Sequence, residues 1–452
     1  MLDYLLTNAR IIDAESGSDF HGSLGIKDGK IDCLFKASDP LPVARDIIDA
    51  DGGILTPGFI DTHAHSDNSI PCAEKLLAMG VTSAVSGNCG FGTTNFSRFF
   101  SKYEKTGYPV NQLEQIGHSI LRLKAGIRDI NAPASLREIE KMKRLTAEAF
   151  SEGACGLSFG LEYDPGASTE EITELSRVAA EEGRFVSIHS RYTGTNDMDS
   201  LREALDLAVI TGVPLIYSHL VYMYTGEDLR EAMPIIEEYR KKSEKIWVDS
   251  GMYTAFATIA GSPCFGEDIF LDNETEIMRL RAATGKYAGQ YLNREKYLEI
   301  RASQHKESLI YDPGDMDDVF AAYSLPDVMV STDCIEYPAG QGHPQGAATY
   351  PFFFRVMVKE TGTFSLLEAV KRCTLLPAQA AGFTTKGRLS AGMDADLVVL
   401  DWQRLREHAD FPDAGDPGSP PTGVKYVFVN GVLAVKDEKR LAGVNAGACI
   451  RR

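Results

Sequence analysis

The sequence predicts an α/β protein: a (β/α)8 barrel with a small β-domain assembled from both ends of the chain. Three observations predict it. Short apolar runs alternate with amphipathic helical stretches from residue 59 to about 385, the pattern of parallel strands joined by crossover helices. Strand-rich, turn-rich segments stand before and after that region. The length, 452 residues, accommodates one large barrel plus an appendage.

Residues 1–58 read as short strands. Leu5–Ile12 and Ser23–Ile31 are apolar or alternating, with Lys27-Asp28-Gly29-Lys30 as a hairpin turn, and Pro57-Gly58 closes the group. Within residues 59–385 the strands expected are 58–61, 82–86, 156–159, 185–188, 215–218, 246–249 and 328–331. The helices expected between them are 136–152, 169–182, 198–212 and 228–242. Ser168 with Glu171 three residues later is a capping-box signature, and Glu170 adds negative charge where the helix dipole favours it. The stretch 265–324 breaks the rhythm and reads as an inserted helical excursion. Residues 386–452 return to strands at 395–401, 424–430 and 432–435, with a polar, Pro- and Gly-rich loop over 404–423. The first and last segments are each too small to stand alone and are expected to pair.

Composition narrows the function. Apolar residues make up 44% and charged residues 24%, an ordinary globular mix that excludes disordered and fibrous classes. Against 46 Lys and Arg stand 64 Asp and Glu, a formal net charge of −18. That sign repels phosphate backbones and anionic lipid, so neither nucleic acid nor membrane is an expected partner and a small molecule is. No apolar run approaches membrane-span length, and Asp3 stands where a signal peptide needs a basic start. The eight cysteines are scattered with no CxxC, which reads as reduced thiols in a cytoplasm. Nothing in the sequence sets an oligomeric state.

The chemistry concentrates at strand ends. His63 and His65 follow the strand 58–61, and their i, i+2 spacing sends both imidazoles to one side. His189 closes the strand 185–188, and His219 closes 215–218. In a barrel the carboxyl ends of the strands converge on one face, and neutral imidazole is a common zinc ligand. Asp333 follows the strand 328–331, where it could act as general base or simply cap a helix. Cys89, in Gly87-Asn88-Cys89-Gly90, lies beyond the strand 82–86 on the same face, either as a thiolate ligand or as a small buried residue. His21, His118, His305 and His408 have no such placement.

Taken together these residues resemble the amidohydrolase superfamily, and within it the N-acyl-D-amino-acid deacylases, or D-aminoacylases. The resemblance rests on residues 57–65, the cysteine motif 87–90, residues 156–163, Ser218-His219, His343-Pro344, Leu376-Pro377-Ala378, residues 392–398 and Val429-Asn430-Gly431. It covers nearly the whole chain, most weakly over about 260–325. It implies a TIM-like barrel flanked by a β-sandwich built from both termini. It also implies one tight zinc held by Cys89, His189 and His219, a second weaker site at His63 and His65, and Asp333 as catalytic acid/base. The chain departs from the family pattern at three places. Val221 stands where Lys is common, residues 249–253 read Asp-Ser-Gly-Met-Tyr, and His-Pro-Arg has become His343-Pro344-Gln345. Gln345 can hydrogen-bond a carboxylate but offers no bidentate ion pair. Arg191 is then the best remaining cation for an anionic substrate, or else a structural ion pair at the barrel mouth. With Tyr253 and His343, these two complete the expected substrate-binding set.

The expected activity is zinc-dependent hydrolysis of a non-peptide C–N amide bond, with water activated by the metal and its proton handled by Asp333. An N-acyl-D-amino acid is the leading substrate. A cyclic amide or imide, as in hydantoinases, is the first alternative, and a non-catalytic protein retaining the fold is the second.

Overall fold

The computed structural model describes residues 1–191, 198–271, 273–302 and 307–452. Parallel strands form its centre. Phe59–Asp61, Val81–Ser86 and Asn111–Glu114 pair in that order. Past Gln115 the same segment continues as Ile116–Gly117 and opens a second parallel run: Gly156–Gly160, Phe185–His189, Leu215–Tyr217, Ile246–Ser250 and Val328–Val330. The ladder then returns to its start. Ala64 bridges Cys334, and the Asp333 and His65 amides donate to the His63 and Cys334 carbonyls, each at 2.8 Å. The Tyr350 hydroxyl clamps the same seam by donating to the Ile60 and Val330 carbonyls. Apart from Trp247, which is partly exposed, these strands are buried, as expected where helices cover a parallel sheet.

The connecting helices lie where apolar periodicity put them, at Leu136–Glu152, Thr169–Glu181, Met198–Thr211 and Gly226–Lys242. At the second of these, Ser168 accepts from the Glu171 amide, but the Glu171 carboxylate does not return to the cap. It is drawn instead into a buried network with His118 and Arg122, at 2.7–2.8 Å. The complete capping box is Ser135 with Glu138, one helix earlier.

Both termini meet in a single nine-stranded sheet, with Ile54–Pro57 pairing Leu397–Leu400 across the junction. Leu2–Asp13 is its hub: its first half pairs Ala44–Asp49 and its second half pairs Ile54–Pro57. The sheet has its own apolar core around Leu24, Ile26, Leu397, Val399 and Phe428.

The stretch expected to be a helical excursion is different in kind. It begins at Phe256 and is built on a three-stranded antiparallel sheet, Phe256–Ile259, Ser308–Tyr311 and Leu280–Ala282. Short helices lie between the strands, and Phe265, Phe270 and Tyr297 form a private core. Strands of three or four residues embedded in polar sequence carry too little alternation to be recognised. Met316–Ser324, closed by the Asp315–Asp318 capping box, returns the chain to the central strands. Among the described residues no helix is long and apolar enough to cross a membrane.

Candidate metal centre

At the carboxyl ends of the central strands the structure gathers His63, His65, Cys89, His189, His219 and Asp333. The cysteine loop is shaped by its glycines. Gly87 and Gly90 have φ of +74° and +78°, and a Cβ on Gly87 would lie 2.4 Å from the Gln115 carbonyl oxygen. Asn88 fixes the loop by donating to the Val85 carbonyl at 2.9 Å and accepting from Gln115 and Ser187. Cys89, His219 and Asp333 all have positive φ, at 53°, 36° and 48°, a conformation that side chains other than glycine seldom adopt. The last two are held there. The His219 amide donates to Asp249 at 2.8 Å, and the Asp333 carbonyl accepts from the Gln345 carboxamide at 2.7 Å. Asp61 ties the first and last strands together, accepting from the His63 amide and the Thr332 hydroxyl.

The donors converge on the Cys89 sulfur. His63 Nε2 lies 3.2 Å from it, His189 Nδ1 3.7 Å and His219 Nε2 3.9 Å. Asp333 Oδ1 lies 3.2 Å from His65 Nε2 and 3.6 Å from His63 Nε2, so His63 joins the cysteine group to the carboxylate group. Burial drives the His63 and His219 imidazoles below their ordinary pKa, His219 to about 3, which leaves both neutral with lone pairs available. Burial and then the nearby carboxylates Asp333, Asp249 and Glu162 push the Cys89 thiol well up. A thiolate there needs a cation beside it, and a thiol among neutral imidazoles is the donor set zinc prefers. The residues fit a metal. Burial opposes charge on Asp333, but the hydrogen bond to His65 and the surrounding imidazoles outweigh it and keep the carboxyl below its usual range. Asp333 caps no helix, since the next one begins at Gln345.

One member of this site was not foreseen. Glu162 accepts from His189 Nε2 at 2.9 Å and from the Ser262 hydroxyl. Burial works against its charge, yet these bonds hold it below the ordinary carboxylate range. A carboxylate partner puts the proton on Nε2 and turns the Nδ1 lone pair toward Cys89. Glu162 stands two residues past the strand Gly156–Gly160, the same strand-end position that singled out the histidines.

Above the cluster opens a cleft of about 240 Å3, reached by His65, Cys89, Glu162, His189, His219 and Asp333. Its walls are Phe91, Tyr163, Tyr222, Met223, Ile335 and, from the antiparallel excursion, residues 256–259 and Ser308. None of the four expected substrate-binding residues lines it. Arg191 is paired with Glu203 at 2.7 Å and donates to the Pro165 and Ala167 carbonyls. Tyr253 and His343 pack edge to face, 5.1 Å between centroids, with Phe411 beside both. Gln345 is buried, its carboxamide oxygen accepting from the Tyr222 hydroxyl at 2.8 Å and its nitrogen donating to the Asp333 carbonyl. Of the four, Gln345 alone is bonded to described residues that line the cleft, Tyr222 and Asp333.

Comparison with known proteins places this arrangement. Two amidohydrolase family models match the chain, over residues 54–198 and 343–435. D-aminoacylase of Alcaligenes xylosoxydans xylosoxydans is 28% identical over 489 residues, covering 100% of this chain and 98% of that protein. The crystal structure of N-acyl-D-glutamate deacylase from Bordetella bronchiseptica, complexed with zinc and a phosphonate mimic of the tetrahedral intermediate, superposes with a TM-score of 0.87 at 26% identity, covering 100% of both chains. A D-aminoacylase structure from work on its binuclear metal centre, described as activated by one metal and attenuated by a second, gives a TM-score of 0.86 at 25% identity, again over 100% of both chains.

Proposed function

The chain belongs to the amidohydrolase family, and from that premise we propose that it is a zinc-dependent hydrolase of a non-peptide C–N amide bond, cleaving an N-acyl-D-amino acid or a related N-acyl compound into carboxylate and amine. The observation that carries this reading is the convergence of a thiol, four imidazoles and a carboxylate at the floor of one apolar cleft. N-acyl deacylases match 95–100% of the chain at 26–29% identity, against 23% over 88% for a dihydroorotase, which favours this substrate class over a cyclic amide.

Cys89, His189 and His219 would hold the tight zinc, and His63, His65 and Asp333 would form the weaker second site. Bound metal supplies Lewis acidity, polarising the acyl carbonyl and lowering the pKa of water from about 15.7 toward about 7. Asp333, ionised and open to the cleft, takes the proton of the attacking water and returns it to the departing nitrogen. His65 keeps that carboxylate aimed and charged. Glu162 sets the tautomer of His189, and Gln345 holds the backbone of Asp333 in its left-handed conformation. Tyr163, Tyr222 and the apolar walls exclude bulk water, which strengthens every charge interaction within.

The same reading divides the chain into a TIM-like (β/α)8 barrel over 59–385, with its excursion near 265–324, and a β-sandwich from 1–58 and 386–452. The closed strand ladder and the separate terminal core support that division. The eight free thiols suit a cytoplasmic location.

The test is metal removal and return. Protein stripped by a chelator should release no acetate from N-acetyl amino acid derivatives, and activity should return with about one equivalent of zinc. Equal activity with and without metal would refute the proposal.

A further inference from the structure

On the hydrolase reading above, we infer that the preferred substrate is a neutral N-acyl compound whose amine portion carries no free carboxylate.

No Lys or Arg is among the described residues that line the cleft, while two carboxylates, Glu162 and Asp333, face into it. Three arginines, among the described residues, are already engaged. Arg191 is held by Glu203 and two carbonyls. Arg281 pairs with Asp413 and lies 4.1 Å from the Phe411 ring centroid. Arg301 donates to the Ala260 and Ser262 carbonyls. Gln345 does not line the cleft: its carboxamide oxygen accepts from Tyr222 and one of its N–H groups donates to the Asp333 carbonyl.

Gly251 helps to fix this arrangement. A Cβ there would lie 2.3 Å from the Tyr222 hydroxyl oxygen, so the absence of a side chain is what lets that hydroxyl reach Gln345. What remains for the substrate is mostly apolar, Phe91, Met223, Phe256, Ala257, Ile259 and Ile335, with only neutral hydroxyls from Tyr163, Tyr222, Thr258 and Ser308 beside them. A substrate carboxylate in this cleft would leave water and gain no ion pair from the described lining side chains, while the metal would be engaged by the acyl group and the attacking water. A carboxamide, an ester or a plain alkyl group meets none of these costs.

The experiment compares isosteric partners on the zinc-loaded protein: N-acetyl-D-leucine against N-acetyl-D-leucinamide, with N-acetyl-3-methylbutylamine as the compound lacking the group altogether. Acetate release is followed. The amide should exceed the acid in kcat/KM by about 10- to 100-fold, mostly through KM, since the unmatched charge is felt in ground and transition states alike. As a second readout, the acid added at ten times the KM of the amide should inhibit amide cleavage only weakly. An acid cleaved as well as the amide, or inhibiting as a strong competitor, overturns the inference and leaves the hydrolase reading standing. If zinc is bound at one equivalent and none of the three releases acetate, the hydrolase reading falls and takes the inference with it.

Discussion

The floor and the walls of the cleft obey different rules. The floor is polar, strained and made of residues at strand ends: Cys89, His219 and Asp333 carry positive φ, and the backbones of the last two are tied by hydrogen bonds to Asp249 and Gln345. The walls are apolar and come from loops, from the short helix Leu220–Met223 and from the excursion. Chemistry is therefore tied to the central ladder, whose register fixes positions to fractions of an ångström. Selectivity is tied to segments that can vary without disturbing the ladder. In this chain the floor has the features expected of the family, while Arg191 and Gln345, expected to hold a substrate carboxylate, are hydrogen-bonded within the protein and do not line the cleft.

Three substitutions test how sharp that division is. The largest effect belongs to Cys89→Ala, which removes the one sulfur on which three imidazoles converge. The variant should keep well under half of the wild-type zinc after dialysis and lose nearly all activity. Wild-type zinc content with wild-type turnover would reduce Cys89 to a buried thiol. Next is Asp333→Asn. An amide cannot take or return the proton, so kcat should fall by about 10²–10⁴-fold, with zinc content and Tm little changed. Retained turnover with bound zinc would move the acid/base role to another group. The smallest effect on activity is expected for Arg191→Met. It removes the Glu203 pair and two carbonyl contacts, which should cost about 1–3 kcal/mol of stability while KM changes by less than about twofold. A rise in KM confined to carboxylate substrates would return Arg191 to the cleft and join wall to floor.

Much of the floor was legible in the sequence because strand-end placement is a local property. An apolar run followed at once by His, Cys or Asp puts that side chain on the active face, and the same rule would have found Glu162 had it been applied to residues 156–162. The walls were not legible. Phe256 and Ile259 belong to strands too short to show a period, and the excursion was expected to be helical when its framework is antiparallel sheet. Arg191 and Gln345 were chosen for their chemistry, yet their partners decide what they do, and Tyr222 lies 123 residues from Gln345.

What the sequence by itself determined is the alternation of strand and helix, the cap at Ser168, and the set of donors at the ends of parallel strands. Each depends on backbone period or on neighbours within four residues, and those are written in the order of the chain. Only the tertiary structure decided that His63 stands between the cysteine and the carboxylate, that Glu162 turns His189, and that Tyr222 fills the space left open at Gly251 to occupy Gln345. These are contacts between elements distant in sequence. They depend on how the closing ladder brings strand ends together, and no local pattern of residues encodes that distance.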